Sequence, residues 1–300
     1  MTEIASQETQ DVILARPASR EFSWAWIGVM PFFIFVFAFM LWPAASLLTG
    51  SFQDQEGHLT LANITGLFQP FILDAYWLSI KISAVTALCG GLLGFLLAYA
   101  VILGGLPREL RTALMTFCGV ASNFAGVPLA FAFIATMGRV GFMTALLKTL
   151  FNVNIYDLGF NLYSFWGLSL TYTYFQLPLM VLIIAPALDG LKPEWREASE
   201  SLGGTSWQYW RYVALPILLP SLLATMILLF GNAFGAYATA RALTGGLLNL
   251  VTIVIGSQIR GDVLHNPGLG YALALGMVVV MAVSITGYTL LQRWTERWLR

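Results

Sequence analysis

Charge is scarce in this sequence. Only 10% of its 300 residues are Asp, Glu, Lys or Arg, against roughly a quarter in an ordinary soluble domain. The fifteen basic and fifteen acidic residues cancel. No basic surface of the kind nucleic acid attracts is available, so nucleic acid is excluded as a partner. Cysteine is nearly absent too. Cys89 and Cys118 stand alone in long apolar runs, without the spacing of a zinc site or the density of a disulfide framework. Both read as small buried apolar residues. His58 and His265 are isolated from each other and from any second ligand at metal spacing, and read as solvated loop residues. No GxxxxGK[ST] loop occurs, so the chain has no nucleotide motif of its own. A Ser/His/Asp set or a metal cluster at membrane depth is also missing, which counts against an intramembrane enzyme. The first 23 residues carry Glu3, Glu8, Asp11, Arg16, Arg20 and Glu21. A cleavable leader would instead open with a short basic stretch and an apolar run, so none is expected.

What the sequence has in abundance is apolar residues, 58% of the chain. A helix needs about 20 predominantly apolar residues to cross the hydrocarbon core. Six segments meet that length, over residues 24–49, 77–103, 112–137, 162–188, 217–240 and 269–292. Pro31 and Pro43 are expected to bend the first. The reading is an all-α integral membrane protein with six transmembrane helices. Its predicted parts are a tail over 1–23, a first helix and outer loop over 24–76, a transmembrane domain over 77–292 and a second tail over 293–300.

Six crossings place both ends on one side, and charge indicates which. Lys and Arg accumulate in cytoplasmic loops. With the N-terminus inside, ten basic residues fall on inner segments, among them Arg108, Arg111, Lys192, Arg196 and Arg211. Four, Arg139, Lys148, Arg241 and Arg260, fall on outer loops. Lys81 stands near the outer end of the second span, where it can snorkel. Both termini are therefore expected in the cytoplasm. Phe142 to Phe151 is apolar enough to lie along the membrane surface. The third outer loop, 241–268, is rich in glycine.

The longest inner connection runs from Asp189 to Leu215. Pro193 suits the first turn of a helix, and Glu194 favours its positive end. Trp195, Ala198 and Leu202 recur at i, i+3 and i+7 and share a face. Gly203-Gly204 stops the helix, since glycine takes the left-handed conformation without cost. A second helical stretch with Trp207, Trp210 and Arg211 leads to Leu215-Pro216, which opens the fifth span.

Glu197-Ala198-Ser199, three residues, Gly203, nine residues, Val213, one residue, then Leu215-Pro216 resembles the "EAA" loop of binding-protein-dependent permeases of ATP-binding-cassette importers. The family pattern is E-A-A, three residues, G, nine residues, I, one residue, L-P. Every spacing agrees; Ser199 and Val213 are conservative departures. The likeness extends from about Trp77 to Gln292. It implies the type I importer permease fold and a docking helix seated in a groove of an ATPase. Glu197 would face a basic group there, Gly203 would give the turn, and the 194–216 loop would couple the two proteins. The implied partners are two ATPase subunits, a second permease of similar fold and a solute-binding protein, in membrane lipid. The implied location is the bacterial cytoplasmic (inner) membrane. ATP and Mg would sit on the partner ATPase, with no cofactor on this chain.

Within the family the chain resembles the spermidine/putrescine-type permeases. Support comes from Trp42-Pro43, the long outer loop that follows, the run Phe230-Gly231-Asn232-Ala233-Phe234-Gly235-Ala236-Tyr237, and Ala242-Leu243-Thr244-Gly245-Gly246. Polar residues costly against lipid are candidates for the solute path. They are Asn123, Tyr172, Tyr174, Gln176, Asn232 and Tyr237. Each is also explained by helix–helix hydrogen bonding or an interfacial aromatic. None of the fifteen carboxylates lies deep in a predicted span. An amino-acid-like, opine or phosphonate solute therefore stays open beside a polyamine, as does an ion-driven secondary transporter. That last class would need intramembrane carboxylates or inverted repeats, and neither is visible. Gln258, Arg260 and Asp262 are candidates to touch a binding protein, or are plain solvated loop residues.

Overall fold

The computed structural model describes residues 25–54, 56–260 and 265–298. The predicted tail 1–23 and Asp262 lie outside them. Among the described residues all regular structure is helical, apart from an isolated bridge between Gln53 and Leu59. Six helical stretches among them are long and apolar enough to cross a bilayer: Ile27–Ser51, Pro70–Leu103, Gly126–Phe151, Phe165–Asp189, Ser206–Phe234 and Pro267–Arg293. The number agrees with the sequence reading, and the third shifts along the chain.

The chain divides into two units, Met1–Leu47 and Leu48–Arg300. In the first, α1 (Ala25–Val36) passes into a π turn over Phe37–Leu41, and α2 (Trp42–Ser51) straddles the boundary. Proline explains the turn. Pro43 has no N–H, and its ring crowds the carbonyl four residues back. The turn before it opens, and Trp42 N–H donates to the Phe37 carbonyl five residues back.

The second unit holds α3 (Ala62–Gly66), α4 (Pro70–Leu103), α5 (Arg108–Asn123), α6 (Gly126–Met137), α7 (Phe142–Phe151) and α8 (Phe165–Asp189). After these come α9 (Pro193–Ser201), α10 (Ser206–Tyr209), a π turn over Trp210–Ala214, and α11 (Leu215–Phe234). The last are α12 (Ala238–Thr244), α13 (Val251–Arg260) and α14 (Pro267–Trp298). Helix α8 is the axis, packed against α4, α5 and α11. Glycines allow the α4–α8 contact. A Cβ on Gly94 would stand 2.6 Å from both the Leu177 carbonyl oxygen and Met180 Cβ, and one on Gly90 2.7 Å from Gln176 Cβ. Without a hydrophobic drive between helices in lipid, such close backbone packing is what holds them together.

Two apolar clusters follow α8. Leu168, Tyr172 and Phe175 pack with Ile82, Leu129, Ala240 and Leu250. Further along, Met180, Ile184 and Leu188 pack with Ala98, Cys118, Leu218 and Leu229. Cys118 is buried as expected, but Cys89 is exposed. It shares the outward face of α4 with Leu88, Leu92 and Leu96, a face whose apolar character suits lipid and hides its direction from the sequence.

Two predicted spans are broken. The run 112–137 becomes α5 and α6, separated at Phe124-Ala125. Pro128 cannot donate to the Phe124 carbonyl, so a continuous helix would lose that bond. Gly126, with φ of +73°, makes the corner. The run 217–240 ends at Phe234 and resumes as α12 at Ala238. The predicted glycine-rich outer loop contains α13, whose first amide, Val251 N–H, donates to Ser79 Oγ at 2.9 Å. Ser79 stands nine residues into α4, about 14 Å along that helix. The connection thus dips beside α4 and climbs back as a helix, which pairs its own backbone groups where water is scarce.

Candidate functional site

The segment expected to dock is built from local rules. Pro193 occupies the first turn of α9 and Glu194 follows it. Three bonds close the far end: Leu202 N–H to Ala198 O at 3.2 Å, Gly203 N–H to Glu200 O at 2.9 Å, and Gly204 N–H to Ser199 O at 2.8 Å. Gly203 takes φ of +78°, the left-handed cap that glycine fills without strain. Arg196 Nε donates to Glu200 Oε1 at 2.9 Å one turn on. That hydrogen bond holds the guanidinium pKa further above its ordinary value. Glu194, Glu197 and Ala198 are exposed, and Ser199 is half-buried. The expected Trp195, Ala198 and Leu202 face divides. Trp195 packs toward the second apolar cluster, whereas Leu202 lies past the last helical turn and is 90% exposed.

From Gly204 onward no slack connection intervenes. Thr205 and Gln208 form a reciprocal capping box: Thr205 N–H donates to Gln208 Oε1 at 2.7 Å, and Gln208 N–H to Thr205 Oγ1 at 3.3 Å. Trp210 stacks edge-on to Tyr99 near the end of α4, centroids 5.2 Å apart. Leu215 N–H then donates to Trp210 O, five residues back. Pro216 has the same effect here as Pro43 in α2, so the Leu215-Pro216 pair sets a π turn between docking segment and span.

The six path candidates do not gather at one place. Asn123 ends α5, exposed, donating Nδ2 to Gly119 O at 2.8 Å. Tyr174, 38% exposed, meets the rings of Phe124 and Phe133 edge-on at 6.4 and 5.9 Å. Gln176 is buried; its Nε2 donates to Thr86 Oγ1 at 3.0 Å, and its Oε1 has no partner among the described residues. Asn232 is exposed on α11. Tyr172 and Tyr237 stand at the α11–α12 break. Tyr172 is buried and donates its hydroxyl to Ala236 O at 2.7 Å. Tyr237 is half-buried against α13, where a Cβ on Gly256 would lie 3.0 Å from its ring.

The two helix breaks face each other. Gly126 N–H, freed at the α5–α6 break, donates to Thr239 Oγ1 of α12 at 2.8 Å. Ala236 O, freed at the other break, accepts from Tyr172. Each interruption is satisfied by a side chain of another helix, as irregular backbone in a membrane requires. A pocket beside the second break is lined by Ser79, Ser83, Tyr172, Ala236, Leu250 and Thr252, among others. A groove on α13 is lined by Tyr237, Thr252, Gly256 and Arg260 with Ile255 and Ile259. Sequence reading missed Ser79, Ser83, Thr86 and Thr252. The first three recur at i, i+4 and i+7 on one face of an otherwise apolar run, and that spacing is a readable signal.

A family model, the binding-protein-dependent transport system inner membrane component, matches residues 90–300. The spermidine/putrescine transport system permease protein PotB of Haemophilus influenzae is 26% identical over 270 residues, 87% of this chain and 92% of that protein. The sulfate transport system permease protein CysT of Escherichia coli is 28% identical over 180 residues, 59% of this chain and 61% of its own length. Among solved structures, a bacterial ABC transporter involved in the import of the acidic polysaccharide alginate aligns with a TM-score of 0.70 at 16% identity, covering 97% of this chain and 98% of that one. At that identity the likeness speaks for the fold. With the family model matched from residue 90 to residue 300 and the importer-permease fold along its length, the chain belongs to the binding-protein-dependent transport system inner membrane components, the membrane permeases of ATP-binding-cassette importers.

Proposed function

We propose that this permease forms half of the path for a small polar organic solute and draws its energy from a separate ATPase seated on the 194–216 loop. The observation that carries the coupling reading is the open acidic face of α9. Glu194 and Glu197 are exposed, and neither has an ion-pair partner among the described residues, while Arg196 is taken by Glu200. Glu197 would meet a basic group of the ATPase, with Ala198 and Ser199 giving close approach and Gly203 fixing the turn. Because Leu215-Pro216 joins the segment to α11 through capped helix, a displacement of α9 reaches the span as a rigid shift.

The solute path runs past the paired breaks, where discontinuous helices bring backbone and hydroxyl groups together. The full assembly is two ATPases holding ATP and Mg, a second permease of similar fold, and a solute-binding protein on the outer side. The chain sits in the bacterial inner membrane with both termini in the cytoplasm. Residues 77–292 form the transport domain and 24–76 an N-terminal addition.

A polyamine is the first solute to test, on the resemblance to spermidine/putrescine permeases. One observation favours a second reading: among the described residues no carboxylate lines the breaks or the adjoining pocket. An amino-acid-like or phosphonate solute, or another without net positive charge, meets no electrostatic penalty there. The test is co-expression with the ATPase and binding protein, followed by ATP-driven uptake into proteoliposomes of spermidine, putrescine, amino-acid and phosphonate probes. Co-purification of the ATPase that Glu197→Lys abolishes supports the docking reading; co-purification unaffected by that change refutes it.

A further inference from the structure

Within the 194–216 loop, the exposed face of α9 and the proposed path leave one built surface unused. Between α10 and the start of α11 lies a groove of about 630 Å³, lined by Ser206, Trp207, Trp210, Arg211 and Leu215. Its walls are apolar: Trp207 is 71% exposed and Leu215 43%. Among the described residues Arg211 is the one cation in its lining. That guanidinium is exposed, stands 5.7 Å from the ring centre of Tyr212, and has no carboxylate partner among the described residues.

Position restricts what can fill this groove. It sits where a capped surface helix turns into the span Ser206–Phe234, the level at which tryptophan rings meet the bilayer interface. Water is a poor occupant, because it would leave the faces of Trp207 and Leu215 hydrated at about 25 cal/mol for each Å². A neutral acyl chain alone would leave Arg211 unused. An amphiphile with an apolar tail and an anionic head matches both halves, since guanidinium binds phosphate oxygens in a bidentate fork.

We propose that this groove holds one anionic phospholipid, its acyl chain along Trp207 and Leu215 and its phosphate on Arg211. The lipid would then brace the π turn through which the docking segment joins α11. The inference needs that α11 spans the bilayer and that the ATPase, if seated on this loop, rests on α9 and leaves the groove open; it is independent of which solute is carried.

The experiment uses the full-length chain in its importer complex, stripped of lipid in detergent and titrated with brominated phosphatidylglycerol or brominated phosphatidylcholine. Bromine on an acyl chain quenches nearby tryptophan fluorescence. The expected result is saturable quenching at a phosphatidylglycerol concentration about fivefold below that of phosphatidylcholine, the preference one basic residue sets at a membrane surface. Trp207→Phe should remove part of the saturable quenching. Arg211→Gln should abolish the preference and Arg211→Lys retain it, with all three variants eluting as the intact complex. Equal quenching by the two lipids overturns the proposal, as does an unchanged preference in Arg211→Gln. Displacement by inorganic phosphate at millimolar concentration would place recognition on the free anion and overturn the lipid assignment. Quenching that appears only when the ATPase is removed would give the groove to the ATPase and overturn it likewise.

Discussion

Arg111, in the first turn of α5, holds Asp189, the last residue of α8, with one guanidinium nitrogen: Nη2 lies 2.8 Å from Oδ1 and 2.6 Å from Oδ2. The pair ties the short connection after α4 to the point where the chain leaves α8 for α9. Both side chains are more than a third exposed, at 37% and 48%. Solvent screening therefore limits the interaction to about 0.2–1 kcal/mol. A double-mutant cycle of Arg111→Ala and Asp189→Ala, read from thermal unfolding in detergent, should give a coupling within that range that shrinks in 1 M salt. A coupling several times larger and indifferent to salt would mean that the pair is shielded in the assembled importer.

Gly94 and Gly119 offer a contrast in what a single methyl group costs. A Cβ on Gly94 meets backbone oxygen and Met180, whereas one on Gly119 meets nothing within 4 Å. Gly94→Ala should force α4 away from α8 and destabilise by about 1–3 kcal/mol. Gly119→Ala, in the middle of α5, should be neutral or gain up to about 1 kcal/mol from helix propensity. Yield and thermal midpoint of the purified variants decide between these outcomes. Equal behaviour of the two would contradict the close helix contact described here.

This pair also marks the boundary of what the sequence makes legible. Hydropathy gave the number of spans because lipid imposes one length and one chemistry on each, although the third lies further along the chain than predicted. Local rules located α9 and its glycine stop because Pro193, Glu194 and Gly203 act through neighbours in the chain. The break at Phe124-Ala125 was not legible, although Pro128 hinted at it. Its stability depends on Thr239, 113 residues away, and a window along the chain cannot see that partner. Helix α13 was hidden for the same reason, its first amide being bonded to Ser79, 172 residues distant. The path candidates scattered because a polar side chain in an apolar run signals a need for a partner without saying where the partner stands.

Gly203 should matter to coupling more than to folding. Its φ of +78° lies where an L-residue pays about 1–2 kcal/mol. Gly203→Ala leaves the spans untouched, so the protein should insert and purify normally. The docking helix would lose its cap and lengthen or tilt, and ATP hydrolysis should proceed with reduced uptake. Gly203→Asn should be milder, since asparagine tolerates the left-handed region better than alanine. The ratio of ATP hydrolysed to solute transported in proteoliposomes separates the three proteins. An unchanged ratio in Gly203→Ala would remove the turn from the coupling mechanism.

The hydrogen bond from Gln176 to Thr86 distinguishes a structural role from a transport role. Gln176 is fully buried, its Nε2 donates to Thr86 Oγ1, and its Oε1 is already without a partner among the described residues. Thr86→Val removes the acceptor and leaves the amide wholly unsatisfied, at a cost of about 1–3 kcal/mol. Gln176→Met removes the amide itself and keeps a similar volume beside Gly90. Thr86 retains its own bond to the Ser83 carbonyl at 3.3 Å. The methionine variant should therefore be more stable than the valine variant, and Thr86→Val combined with Gln176→Met should recover most of the loss. If Gln176 contributes to the path proposed here, Gln176→Met should lower ATP-driven uptake while keeping its thermal midpoint. Full uptake at full stability would confine Gln176 to packing between α4 and α8, and would place the path entirely beside the Tyr172 and Tyr237 break.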